Sequence, residues 1–134
     1  MKIIKSGVKK RVLRKWLQSS LKLTFQELNV NPCPFNIVFV GDSYIRKLNK
    51  EYFGRDEPTD VIAFPFNSKD FLGEIYISTP TVARNARRYD VSFNEEIVRV
   101  AVHGLLHLLG YEDETLEGKQ KMYEMGERFV KESQ

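Results

Sequence analysis

Residues 92–110, SFNEEIVRVAVHGLLHLLG, constrain the fold more than any other stretch of this chain. Ser92 followed three residues later by Glu95 is a capping box, the start signal of a helix. Gly110 suits the left-handed residue that ends one. Between them Ile97, Val98, Ala101, Val102, Leu105, Leu106, Leu108 and Leu109 form an apolar stripe too wide for a surface helix. A helix of this kind must be covered on most of its sides, so the remaining elements have to be layers packed around it. Gly104 costs about 1 kcal/mol relative to alanine in a helix interior. Something must therefore approach the backbone closely there, either a packed strand or a substrate.

Those layers can be read along the chain. KIIK is a short strand, and from Val8 the residues Val12, Leu13, Trp16, Leu17 and Leu21 follow helical spacing. NVNPCP breaks the chain. FNIVFV is a strand, followed by a short helix capped by Asp42 or Ser43. EYFGRDEPTD is a charged loop, and VIAFPF and EIYIS form a hairpin around NSKDFLG. Thr79 is expected as the N-cap of the next helix, with Pro80 at its first position. A last helix starts near Leu116, with Met122, Met125 and Phe129 facing inward. The order β-α-β-α-β-β-α-α-α predicts an α+β fold, a small mixed β-sheet with packed helices. At 134 residues, the span 1–134 is expected to be one domain.

Charge is uneven although the net value is only +3. Residues 1–26 hold eight Lys or Arg and no acid, whereas residues 112–134 hold seven acids against four bases. This asymmetry suits a protein that meets a polyanion with one surface, and equally suits solvated helix faces. Lys9, Lys10, Arg11, Arg14 and Lys15 on the first helix, with Arg84, Arg87 and Arg88 further on, are the candidate phosphate contacts. The lone Cys33 cannot form an internal disulfide, which favours a reducing compartment. The longest apolar runs are four residues, so no membrane span or signal peptide is expected, and a cytoplasmic location follows.

His103 and His107 are the only histidines in the chain. Four apart on a helix, they stack on one face. Gly110 then reverses the chain and returns Asp113 towards them, giving H-x-x-x-H-x-x-G-x-x-D. Three protein ligands with an open fourth position is the arrangement of a catalytic zinc. Glu112 and Glu114 compete with Asp113 for the third place. The spacing resembles that of metzincin proteases, but Gly104 stands where H-E-x-x-H enzymes carry their glutamate base. Asp60 either orients a ligand histidine or caps the turn before its strand. EIYIS either walls the cleft or is an ordinary core strand.

HGLLHLLGYED resembles H-G-x-L-H-L-x-G-Y-D-H, the signature of the YbeY family of bacterial endoribonucleases. LNKEYFGRDEPTDVIAFPF is similar to that family's L-N-x-x-Y-R-G-K-D-x-P-T-D-V-L-S-F-P, and LGEIYIS to its L-G-D-I-x-I. The resemblance implies a zincin-like fold and one divalent metal ion: zinc first, with manganese, iron or nickel as alternatives. It also implies metal-dependent cleavage of single-stranded precursor rRNA, with the small ribosomal subunit as partner and a monomeric protein. Two positions depart from the motif. Asp113 stands where the family has its third histidine, which adds negative charge and shifts preference towards harder metals. Phe53 stands where the family has an arginine that assists phosphate chemistry. Arg55 matches a family lysine and can take that role, unless Asp56 or Glu57 occupies it. The competing readings are another metallohydrolase, such as a peptidase, and a non-catalytic ribosome-assembly factor that keeps the metal as a structural pin.

Overall fold

The computed structural model describes residues 2–4 and 11–134, with side chains from Leu13 onward. Nine elements follow in order: β1 (Lys2–Ile4), α1 (Arg11–Glu27), β2 (Asn36–Val40), α2 (Asp42–Phe53), β3 (Val61–Pro65), β4 (Gly73–Ser78), α3 (Thr79–Arg88), α4 (Phe93–Leu108) and α5 (Leu116–Glu132). The expected start of the first helix at Val8, with Lys9 and Lys10, lies outside the described residues.

The four strands are ordered β1-β2-β4-β3. β1, β2 and β4 run parallel, and β3 joins β4 antiparallel through the 66–72 turn. Ile37, Phe39, Ile75 and Ile77 alternate onto one face, where they meet Leu105, Leu106 and the other residues of the main core. Tyr76 and Ile62 point to the opposite face, which α2 covers while burying Ile45 and Asn49. The fold is thus α+β, with most helices packed on one side of a small mixed sheet.

α4 is the centre of that packing, as its wide apolar stripe predicts. It touches α1, α3, α5, β3 and β4. Ile97, Val98, Ala101, Val102, Leu105 and Leu106 are fully buried, and each large side chain among them contributes about 1.5–3 kcal/mol. The close approach demanded by Gly104 is by a strand: a Cβ there would lie 2.7 Å from Ile75 Cγ2. At the other end, Gly110 adopts φ 96°. Its N–H donates to the His107 carbonyl and the Tyr111 N–H to the Leu106 carbonyl, both at 3.0 Å. This is a Schellman turn, and the absent side chain removes the steric cost of the left-handed residue.

The cap expectations hold in part. Ser92 Oγ accepts the Glu95 N–H at 3.0 Å, but the Glu95 carboxylate does not reach back; it pairs with Arg99 at 2.9 Å. Gly41, not Asp42 or Ser43, is the N-cap of α2. Asp42 instead accepts hydrogen bonds from Ser78 Oγ and Thr81 Oγ1 and pairs with Arg84 at 2.8 Å, tying α2 to α3. Burial opposes ionisation of Asp42, but these donors outweigh it and hold the carboxyl below its ordinary range. Ser78, not Thr79, is the N-cap of α3, so Pro80 sits one position later than expected. Ser78 is still extended because it ends β4, and only after it can the chain turn helical.

Gly104→Ala is expected to lower stability by about 1–2 kcal/mol in denaturant unfolding, because overpacking against a stiff, buried isoleucine exceeds the helix-propensity gain. In an Ile75→Ala background the same change should be neutral or stabilising. Additive losses would show that the close approach at this point does not matter.

Candidate metal centre

The last two turns of α4 carry His103 and His107, and the Schellman turn after Leu109 brings back Asp113. Their ring planes are 82° apart, with centroids at 4.6 Å. The two Nε2 atoms are 3.1 Å apart, and Asp113 Oδ2 lies 3.8 Å from that of His103 and 3.7 Å from that of His107. A point equidistant from three atoms so placed is about 2.1 Å from each, the length of a zinc–nitrogen or zinc–oxygen bond. The cluster could hold a metal ion. Glu112 and Glu114 are exposed and stand outside it, although both line the same cleft. The geometry thus favours Asp113 among the three acids, because only that position faces back towards the helix.

The histidines must be neutral to offer lone pairs. His103 is pushed below its ordinary range by burial and by the charge His107 would add, against the opposing pull of Asp113 and Asp60. Asp60 therefore acts on His103 through its field; no hydrogen bond joins them among the described residues. Its own backbone carbonyl accepts the Ser78 N–H at 2.9 Å, which extends the β3–β4 pairing by one residue.

A cleft of about 710 Å³ opens beside His107 and Asp113. Its far wall is β3, through Val61, Ile62, Ala63 and Pro65. The alternative that EIYIS forms the wall is corrected: β4 is hydrogen-bonded on both sides, and β3, the edge strand beside it, lines the cleft instead. The 54–60 loop closes the cleft. Asn49, buried on α2, donates from Nδ2 to the Glu57 carbonyl at 2.9 Å and anchors that loop. No local pattern in the sequence marks Asn49 for this task.

Arg55 is the one Lys or Arg among the cleft-lining residues, facing Glu57, Glu112, Asp113 and Glu114. Asp56, its expected competitor, pairs instead with Arg46 at 2.8 Å, and among the described residues Arg55 makes no ion pair. Arg14 and Lys15 are exposed on α1, and Arg87 and Arg88 on the last turn of α3, but none lines the cleft. Arg84 is engaged with Asp42 and Thr81 rather than free, because α2 and α3 pack together. Arg11 opens α1, and its side chain lies outside the description.

A family model described as "Endoribonuclease YbeY" matches residues 2–134. The chain belongs to the YbeY family. A relative of that name from Chloroherpeton thalassium is 37% identical over 96% of this chain and 92% of its own. One from Aquifex aeolicus is 36% identical over 97% of this chain and 87% of its own. The solution structure of a Thermotoga maritima protein superposes with a TM-score of 0.71 at 32% identity, covering 98% of this chain and 87% of that one.

Behind His103 lies a second, smaller pocket of about 180 Å³, bordered by Asp60, Glu96, Arg99 and Glu127. Sequence patterning gave no sign of it. Arg99 bonds Glu95, Glu96 and Glu127 at 2.8–2.9 Å and so joins α4 to α5. Glu96 is almost fully buried, and burial raises its pKa despite the guanidinium. Arg99→Met should therefore cost about 2–3 kcal/mol at neutral pH, somewhat below the ~3–5 of a fully buried pair. A carboxyl whose folded pKa is raised costs stability above its unfolded pKa, so the deficit should shrink as pH falls towards 5. Glu96→Gln added to Arg99→Met should restore part of it. A deficit independent of pH in urea titrations would rule out this account.

Proposed function

We propose that this protein is a metal-dependent endoribonuclease that cuts single-stranded RNA. Precursor rRNA at the small ribosomal subunit is its substrate class, and it works as a monomer in the cytoplasm. The observation that carries the reading is the His103–His107–Asp113 cluster, whose three ligand atoms lie within 4.8 Å of one another beside an open cleft that His107 and Asp113 line. Zinc fits two imidazoles and one carboxylate; the carboxylate also admits manganese or iron, and nickel remains within the donor chemistry. The names of the relatives support the reaction class, and the family resemblance implies the rRNA substrate.

His103 and His107 would hold the ion through Nε2, and Asp113 through Oδ2. When bound, a divalent cation supplies a water of lowered pKa and positive charge for a phosphoryl oxygen. That charge also matters for entry. Four carboxylates and a single arginine line this cleft, which a polyanion cannot enter favourably unless a cation offsets them. Arg55 would take a phosphate oxygen at the mouth and so position the strand. Gly104 sits against Ile75 and offers no carboxylate base after His103, which argues against peptide hydrolysis. The exposed Arg14, Lys15, Arg87 and Arg88 would give sequence-independent, salt-sensitive contacts away from the cut. No helix of the described residues is long and apolar enough to cross a membrane.

Single-stranded rRNA fragments should be cut by the purified protein, and cutting should stop on chelation and return with added metal. His107→Ala should lose more than the ~10–100-fold that removal of an outer hydrogen-bond partner costs. Asp113→Ala should lower bound metal in elemental analysis, whereas Glu112→Ala and Glu114→Ala should not. Undiminished cutting by His107→Ala would mean that this site is not responsible. Unchanged metal content in Asp113→Ala would move the third ligand elsewhere.

A further inference from the structure

α2 ends beside the cleft with two neighbouring aromatic rings in solvent: Tyr52 is 59% and Phe53 54% exposed. They are not loose. Both rest on Phe64 of β3, Tyr52 edge-on at 5.1 Å and Phe53 nearly parallel at 6.2 Å. Phe64 in turn packs edge-on against Tyr76 at 5.7 Å, and Tyr76 stacks on Tyr44 at 6.2 Å. The backbone that carries them is also fixed. Gly54 closes α2 in a left-handed conformation, and the Asn49 bond to Glu57 holds the following loop. Contiguous exposed rings of this extent are uncommon on a folded surface that meets only water.

Phe53 lines the same cleft as Arg55, His107 and Asp113. The aromatic patch is therefore continuous with the candidate site rather than a separate surface. Two chemistries meet at its edge: a flat, pre-oriented π-face at Phe53 and, two residues later, a guanidinium with no ion pair among the described residues. Together they match the two parts of a nucleotide, a base to stack and a phosphate to pair. Duplex bases are already stacked on their neighbours and cannot use such a face, whereas bases of a single strand can.

We propose that Phe53, backed by Phe64 and flanked by Tyr52, is a stacking platform for one unpaired nucleobase of the RNA strand entering the cleft. The inference rests on the endoribonuclease reading above and adds a substrate-positioning residue to it. Because every base has a π-face, the platform selects single strands over duplexes without strong preference for one base. Holding one base beside Arg55 sets which backbone phosphate reaches the floor of the cleft.

The test is steady-state cleavage of a single-stranded oligoribonucleotide by the metal-loaded protein and its Phe53→Ala, Phe53→Leu and Phe53→Trp variants. Phe53→Ala should lower kcat/KM by about tenfold or more, mainly through KM. Phe53→Trp should retain activity, and Phe53→Leu should behave like Phe53→Ala because an aliphatic side chain has no π-face. An oligonucleotide with one abasic position should reproduce the loss with the parent and show no further loss with Phe53→Ala at that position. Leucine working as well as phenylalanine would overturn the proposal, as would alanine leaving kcat/KM unchanged in a parent that cuts. A sedimentation shift from dimer to monomer in Phe53→Ala, with RNA cleavage intact, would assign the face to a second copy of the chain instead. A parent that neither binds nor cuts single-stranded RNA would remove the function and this platform together.

Discussion

The contact between Gly104 of α4 and Ile75 of β4 sets the geometry on which the candidate site depends. A missing side chain lets the helix lie against the strand at a distance that any Cβ would forbid. With Gly104 pressed on the sheet, the neighbouring positions His103 and His107 are turned towards its rim. The edge strand β3 then becomes the opposite wall of the cleft. One residue thus sets how closely the helix approaches the sheet. It also occupies the position at which a peptide-cleaving relative of this motif would need a glutamate.

The end of the same helix supplies the third group. The Schellman turn at Gly110 satisfies the carbonyls of Leu106 and His107 and reverses the chain within three residues. Asp113 is thereby placed on the histidines' side, while Glu112 and Glu114 on either side of it remain exposed. Arg99 and its three glutamates hold α5 against the opposite flank of α4, so the helix is braced on both sides. The geometry of the candidate metal centre is a by-product of how one buried helix is packed and terminated.

Charge around the cleft links the cation and the nucleic acid of the proposed function. The exposed basic residues of α1 and α3 lie off the cleft, and the cleft itself is rimmed by carboxylates. Long-range attraction can bring a polyanion to such a surface, but final approach needs local positive charge. In the proposed function a divalent ion at His103, His107 and Asp113, with Arg55 at the mouth, would provide it. The aromatic rings of α2 and β3 would add an uncharged contact beside those carboxylates.

The sequence by itself determined the central helix, its Ser92 cap, its ending at Gly110 and the pairing of His103 with His107. These follow from spacing, side-chain volume and one glycine, all within a few residues of each other. It also determined the order of elements and the hairpin that became β3 and β4. Only the tertiary structure decided that Ile75 is what presses on Gly104, that β3 rather than EIYIS is the wall, and that Asp42 captures Arg84. It also placed Asp113 rather than Glu112 or Glu114 beside the imidazoles, and gathered Tyr52, Phe53, Phe64 and Tyr76 into one aromatic patch. Each of these joins residues far apart in the chain or depends on which way a turn faces. Periodicity reports which face of an element is apolar, but not what that face will meet. That choice is made by sheet order and helix packing, where the free energy belongs to the whole assembly rather than to any segment.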